Sequence, residues 1–331
     1  MRKKIKIYFT DFYEGFSPAD NFIVDLLCKS YEIEITPENP DYLLYSCYGF
    51  DFLSYQCVRI FYTAENLRPD FNLCDYAIGI DNLHFAERYI YFPTYGFDLN
   101  LKNLIRPVKN VGIEAETKKR FCNFIYSNPE CDVIRNNFYD LLSNYKPIDS
   151  PGKFRNNTTW KTSKHQSWQE SKISFQKNYK FSIAFENSSS TGYTSEKIIH
   201  AFMAGTIPIY WGNPEIGKEF NTRSFINCHD CNSLEEVVER VIEIDNNDQL
   251  YHKMLSSPCF LNNEIPTTIL RQKLLTFFEN IFNQDLNEAR RRPSYGRTPV
   301  YEKIVFKMAL LFKAYLRVTA IPRFVRKLLK S

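Results

Sequence analysis

Short apolar runs alternate with helix-like stretches along this chain, and they do so in two successive series. The first series opens with Lys4 to Thr10 as a strand and Asn21 to Tyr31 as an amphipathic helix. Apolar runs follow at Tyr42 to Tyr48, Val58 to Thr63, Tyr76 to Ile80 and Arg88 to Phe92. The second begins with a strand over Arg120 to Ser127 and a helix over Cys131 to Tyr145, then passes through a polar loop, Pro147 to Lys164. It continues with strands at Lys180 to Phe185, Thr206 to Trp211 and Ser224 to Cys228, and helices at Thr194 to Ala204 and Ser233 to Ile244. Gly205 stands where a helix C-cap is wanted. Alternation of this kind belongs to parallel sheets covered by helices. At 331 residues the chain exceeds what one hydrophobic core organises. The sequence therefore predicts an α/β fold of two Rossmann-like domains facing a cleft, residues 1–110 and 111–285, with a Pro-bearing linker around Arg106 to Val111 and a tail over 286–331.

Composition narrows the function classes. A hydrophobic fraction of 44%, with 28 Phe and 22 Tyr, supports packed cores and leaves aromatic surface for a sugar-binding groove. The net charge of +4 is unevenly placed: residues 300–331 carry eight Lys or Arg against Glu302, so the rest of the chain is about −3. No basic groove crosses the body, which excludes nucleic acid as the expected partner. Nine scattered cysteines suit a reducing compartment, and the cytoplasm is the expected location. The apolar stretch at the start is broken by Lys6 and Asp11, so no signal peptide is expected there.

The most informative stretch runs from Phe185 to Pro214. A strand ends at Phe185, a loop of Ser, Thr and Gly follows, and a helix starts near Thr194 with Glu196 and Lys197 in its first turn. Free backbone N–H groups and the positive end of a helix dipole suit a diphosphate there. Lys197 can neutralise phosphate and Glu196 can accept from ribose or sugar hydroxyls. An ordinary cap, with Thr194 or Ser195 closing the helix and Glu196 complementing its dipole, accounts for the spacing equally well.

The identity of the residues goes further than their spacing. Phe185-Glu186-Asn187, Tyr193, Glu196-Lys197, the strand Thr206-Ile-Pro-Ile-Tyr-Trp-Gly212 and Asn213-Pro214 closely resemble the donor-binding motif of the bacterial and animal α-1,3-fucosyltransferases, glycosyltransferase family 10. Two further stretches extend the resemblance over most of Lys4 to Phe282: Tyr62 to Asp70 followed by Cys74 to Asp81, and Ser127 to Glu130 followed by Ile134 to Tyr139. The resemblance implies a GT-B-like fold and an inverting enzyme moving L-fucose from GDP-β-L-fucose to the 3-hydroxyl of N-acetylglucosamine in a lactosamine-type glycan. Asn187, Tyr193, Glu196 and Lys197 would contact the donor, Arg135 would clamp its diphosphate, and Glu65 would be the general base, with Glu186 as a further candidate carboxylate. Linkage at another position, another donor, and a noncatalytic carbohydrate-binding protein on the membrane surface are the competing readings.

The chemistry independently asks for such groups. An acceptor hydroxyl is a poor nucleophile at neutral pH and needs a carboxylate to take its proton, while the departing GDP needs positive charge, which Arg135 and Lys197 could supply. By itself, Glu65 reads as a solvated loop residue. No cofactor is required, no Asp-x-Asp element demands a metal, and stimulation by a divalent ion stays open. Asp245 to Asp248 reads as a helix-ending turn. Cys228-His-Asp-Cys231 has the spacing of half a zinc site, but the expected reading is a strand end leading into a helix capped by Asn232 or Ser233. His200 is expected either at the cleft or packed.

In the tail, Ile304, Met308, Leu311, Phe312 and Tyr315 recur at helical spacing beside Lys303, Lys307, Lys313 and Arg317, and Pro322 is expected to break or kink the helix before Arg323, Arg326, Lys327 and Lys330. That profile predicts a helix on an anionic membrane surface, placing the protein peripherally on the inner face of the membrane. A domain-packing helix with a solvated basic side is the alternative.

Overall fold

The computed structural model describes residues 2–97, 101, 104–105, 118–161, 166–265 and 267–328, with backbone alone for 267–268 and 316–328. The chain forms two units: Met1–Gly79 with Leu83–Tyr91 and Gln272–Ser331, and Ile80–Asn82 with Phe92–Arg271. These divisions differ from the sequence boundaries at 110 and 285, and the linker expected over 106–111 lies outside the described residues.

The first unit is built on one parallel sheet. Its strands are β1 (Lys4–Thr10), β2 (Glu32–Ile35), β3 (Tyr42–Tyr45), β4 (Val58–Tyr62), β5 (Tyr76–Gly79) and β6 (Tyr89–Tyr91), in the order β2-β1-β3-β4-β5-β6. Helix α1 (Phe22–Leu27) starts where Asn21 accepts hydrogen bonds from the Ile23 and Val24 N–H groups. Central strands read as unbroken apolar runs because both faces are covered, and every residue of β3 and β5 is buried.

The second unit carries the other parallel sheet. It comprises β7 (Arg120–Asn123), α2 (Val133–Ser143), β8 (Ile148–Asp149), α3 (Trp168–Gln176), β9 (Tyr179–Phe185), α4 (Glu196–Met203), β10 (Ile207–Trp211), β11 (Ile226–Asn227), α5 (Leu234–Asp245) and α6 (Asp248–Ser256), with sheet order β11-β10-β9-β7-β8. Gly205 follows α4 with φ +63°, a left-handed conformation that glycine adopts at low cost, so the chain turns directly into β10. Asp245 closes α5 and Asn247 caps α6, which is the turn expected at Asp245 to Asp248.

After α7 (Thr267–Phe282) the chain returns to the first unit. Phe282 packs against Tyr42 and Tyr31, with ring centroids at 4.5 and 5.3 Å. Helices α8 (Leu286–Ala289) and α9 (Arg297–Leu328) follow. Glu302 on α9 is 2.6 Å from Nη2 of Arg59, a fully buried residue of β4. Val305, Phe306 and Ala309 continue the same face into the core, and Lys313 pairs with Asp51. The first half of the expected tail is therefore a packed helix. Its predicted apolar stripe faces outward: Met308 is 64% and Leu311 71% exposed, and Ile304, Phe312 and Tyr315 are exposed too. The helix runs on through Pro322 to Leu328, so the expected break does not form there. The Arg317, Arg323, Arg326, Lys327 and Lys330 side chains lie outside the described residues.

Candidate active site

In the second sheet the chain leaves β7 for β8 on one side and continues through β9 to β10 and β11 on the other. Such a reversal opens a crevice at the carboxyl ends of the two central strands, where ligands of open parallel sheets bind. The residues there are Tyr126 after β7 and Glu186 and Asn187 after β9. The Tyr126 hydroxyl accepts the Phe185 N–H at 2.8 Å and points at the Ile183 and Phe185 carbonyls, tying the loop after β7 to the end of β9.

Arg135 projects from α2 into this crevice and is fully buried. Its Nη1 donates to Asn187 Oδ1 at 3.0 Å, its Nη2 donates to the Asn128 carbonyl at 2.6 Å, and its guanidinium lies 4.1 Å from the Tyr126 ring centroid. Nε has no partner among the described residues, and no carboxylate there pairs with this cation. A buried guanidinium is costly to leave without an anion, so the arrangement favours a negatively charged ligand.

Glu186 is the centre of a second cluster. Its fully buried carboxylate accepts the Ser195 N–H at 2.7 Å, the Ser195 hydroxyl at 2.6 Å and Lys197 Nζ at 2.9 Å. Gly212 makes this possible, because a Cβ there would sit 2.4 Å from Glu186 Cγ. Lys197 also donates to Ser195 Oγ at 2.9 Å, so among the described residues two of its three N–H groups are committed and the third is available to a ligand. Burial alone would lower its pKa, but Glu186 and Glu196 outweigh burial and hold the ammonium charged well above the ordinary lysine value. Ser195 thus caps α4 and bridges its acid and its base. The ordinary cap and the charged cluster coexist.

Glu196 lies on the other side of the α4 start, on the wall of a cavity of about 490 Å³ together with Thr94, Glu170, Ile199 and His200. Burial pushes against its ionised form, but the fields of Lys197 and Lys172 prevail and bring its pKa to about 2. His200 is buried, with Nδ1 unpartnered among the described residues, and burial aided by Lys172 lowers its pKa to about 3, so it is a neutral packed histidine beside Trp168. Tyr193 is buried as well, and its carbonyl accepts the Tyr210 hydroxyl at 3.3 Å.

The structure thus gathers Arg135 with Asn187, and Lys197 with Glu186, within one unit. Glu65 belongs to the first unit, in the loop after β4, where its N–H donates to Thr63 Oγ1 at 3.0 Å and its Oε1 accepts the Tyr48 hydroxyl at 3.0 Å. Sequence reasoning missed Lys172, which α3 buries 5.2 Å from the Trp168 ring centroid and whose pKa burial lowers to about 8. The readable signal for α3 was the capping box of Ser167 and Glu170. Cys228 to Cys231 form the strand end and turn that lead into α5, capped by Ser233, and His229 Nε2 accepts the Gly212 N–H at 3.2 Å.

Comparison with known proteins supplies the context. Residues 7–98 match the family model for the Alpha-(1,3)-fucosyltransferase FucT N-terminal domain, and residues 115–256 match that for Glycosyltransferase family 10 (fucosyltransferase) C-term. The chain is 34% identical over 274 residues to the Alpha-(1,3)-fucosyltransferase FucT of Helicobacter pylori, covering 70% of this chain and 55% of that relative. It therefore spans about half the length of that curated relative. A crystal structure of an α1,3-fucosyltransferase with GDP-fucose superposes with a TM-score of 0.70 at 29% identity, over 86% of this chain and 92% of the other. A second crystal structure of an α1,3-fucosyltransferase gives 0.73 at 29% identity, over 89% and 94%. The expected α/β class of GT-B kind is borne out by these neighbours and by the two parallel sheets.

Proposed function

Since the chain belongs to the glycosyltransferase family 10 fucosyltransferases, we propose that it moves L-fucose from GDP-β-L-fucose to the 3-hydroxyl of N-acetylglucosamine in a lactosamine-type glycan, with inversion at the anomeric carbon. The observation that carries this reading is Arg135, a fully buried guanidinium without a carboxylate partner among the described residues, at the switch point of the sheet that also presents Lys197.

In this mechanism Glu65 takes the proton of the acceptor hydroxyl as its oxygen attacks the anomeric carbon. The bond from that carbon to the β-phosphate oxygen breaks, and the charge left on GDP is met by Arg135, by the free N–H of Lys197 and by the start of α4. Attack opposite the leaving group converts the β-linked donor into an α-linked product. Asn187 holds the Arg135 fork in place, and Glu196, kept ionised by its cationic neighbours, accepts from donor hydroxyls. These groups supply the positive charge that the step requires.

The outward apolar residues of α9, next to Lys303 and Lys307, support a further part of the proposal: this helix lies on an anionic membrane surface on the cytoplasmic side, where the enzyme fucosylates lipopolysaccharide or another surface glycan.

The test is Glu65→Gln. The variant keeps size and hydrogen bonding but loses the proton acceptor, so turnover should fall by roughly 10²-fold or more while GDP-fucose affinity is retained. Near-normal turnover would remove Glu65 from the mechanism.

A further inference from the structure

The first sheet has its own switch point. The chain leaves β1 for β2 on one side and returns to β3 on the other, which opens a crevice at the carboxyl ends of β1 and β3. Two loops meet there, and Asp11 fastens them. Asp11 sits just after β1 in a left-handed conformation, φ +59°. Its carboxylate accepts the N–H groups of Asp51 at 2.9 Å and Phe52 at 2.8 Å, and its carbonyl accepts the Tyr48 N–H at 3.0 Å. Gly49 leaves the necessary room, because a Cβ there would lie 2.2 Å from Asp11 Oδ1. A strained, over-determined backbone of this kind marks a place where geometry is held for use.

What the clamp holds in place is a pair of aromatic rings. Tyr13 and Tyr48 are 57% and 55% exposed, with centroids 6.4 Å apart and rings nearly perpendicular. Phe16 supports Tyr13 edge-on at 5.9 Å, and Phe16, Phe12 and Tyr62 stack in succession behind it at 4.0 and 5.9 Å. Large rings left exposed on such a rigid base present flat apolar faces with hydroxyl tips, the surface that the C–H face of a hexose stacks upon. The Tyr48 hydroxyl, in turn, donates to Glu65 Oε1 at 3.0 Å. Burial and the neighbouring Glu65 carboxylate push the Tyr48 phenol well above its ordinary pKa, so it stays protonated and remains a donor.

We infer that Tyr13 and Tyr48 form the subsite that stacks a hexose of the acceptor glycan, and that Tyr48 is a positioning residue that aims the Glu65 carboxylate at that hexose's neighbouring hydroxyl. The inference rests on the reading of Glu65 as the base. Placement decides the occupant: rings hydrogen-bonded to a proton-accepting carboxylate serve a ligand whose hydroxyl must be deprotonated beside them.

The experiment measures steady-state kinetics of the full chain with GDP-fucose and N-acetyllactosamine. Tyr13→Ala should raise the acceptor KM about tenfold and leave kcat within about twofold, since stacking is lost and the base is untouched. Tyr48→Phe should do the reverse, lowering kcat about tenfold while acceptor KM holds, because the ring stays and the hydrogen bond to the carboxylate goes. Neither should change GDP-fucose affinity or the melting temperature. If Tyr13→Ala melts early, Tyr13→Leu, which keeps apolar bulk without a ring, is expected to show the same KM rise. An unchanged acceptor KM in the folded Tyr13 variant overturns the stacking subsite, and an unchanged kcat in Tyr48→Phe overturns the positioning role. Glu65→Gln on the same footing separates the two levels. Near-normal turnover there sinks the base assignment and this inference together, whereas collapsed turnover beside wild-type kinetics in both tyrosine variants sinks this inference alone.

Discussion

Replacing Lys197 by alanine should damage stability and donor binding by separable amounts. Its ammonium lies 2.9 Å from a Glu186 carboxylate that is fully buried, and removing it leaves that carboxylate, among the described residues, with the Ser195 N–H and hydroxyl. Breaking a buried pair from one side costs on the order of 3–5 kcal/mol, and the two surviving hydrogen bonds place this case near the lower end, about 3 kcal/mol. Urea unfolding of Lys197→Ala would read that loss directly. Adding Glu186→Gln removes the orphaned charge, so the double variant should regain most of the stability. GDP affinity should not return with it: a lost charge-assisted contact to phosphate corresponds to roughly 10- to 100-fold, measured by calorimetry, in both variants. The reasoning is refuted if the double variant is no more stable than the single one. Unchanged GDP affinity in the double variant would remove Lys197 from the diphosphate site.

Two further outcomes follow from the same geometry. Glu196 and His200 have folded pKa values near 2 and 3, both below their ordinary values, so the unfolded chain binds more protons as the solution is acidified. Stability should therefore fall with pH between about 6.5 and 3 through His200 and between about 4.5 and 2 through Glu196, each by up to about 1.4 kcal/mol per pH unit. His200→Gln should flatten the slope of the urea midpoint between pH 7 and pH 5, and an unaltered slope would contradict the assignment. Deleting residues 297–331 should destabilise the first unit, because Arg59 would lose Glu302 and the core would lose Val305, Phe306 and Ala309. Deleting only 316–331 should leave the melting temperature unchanged and weaken cosedimentation with anionic vesicles, and early melting of this shorter deletion would show that the last segment also packs.

The sequence made legible those elements whose signals are local. Lys4–Thr10 is a strand over the predicted span, Asn21 caps its helix, and the Phe185 to Pro214 stretch folds as strand, loop, helix and strand because an apolar run, a hydroxyl cap and Gly205 all act within a few residues. Strands β2 and β8, of four and two residues, carry too little pattern to stand out, and are defined by the strands they pair with. Helix α3 mixes polar and apolar residues, and Lys172 on it reads as solvent-facing, since only packing against α4 reveals its burial. In α9 the periodic stripe is real, but a second face, Glu302 with Val305, Phe306 and Ala309, is the one that packs. Periodicity identifies an amphipathic helix without saying which neighbour takes which side. Arg135 and Lys197 stood out through their motifs, whereas Ser195 closing the β9–α4 loop onto Glu186, and Tyr126 tying the loop after β7 to the end of β9, emerge only from the hydrogen bonds of the folded chain.

The central claim, that this chain uses GDP-fucose to build an α-linked fucoside, is tested most directly by a mass-resolved transfer assay offering several sugar nucleotides to N-acetyllactosamine and to its β-1,3-linked isomer, with the linkage of any product read by NMR. The account predicts a mass gain of one deoxyhexose from GDP-fucose alone, on N-acetyllactosamine, with an α configuration at the 3-hydroxyl of N-acetylglucosamine. Transfer of a different sugar, a β-linked product, or binding of GDP-fucose and acceptor with no transfer would contradict it.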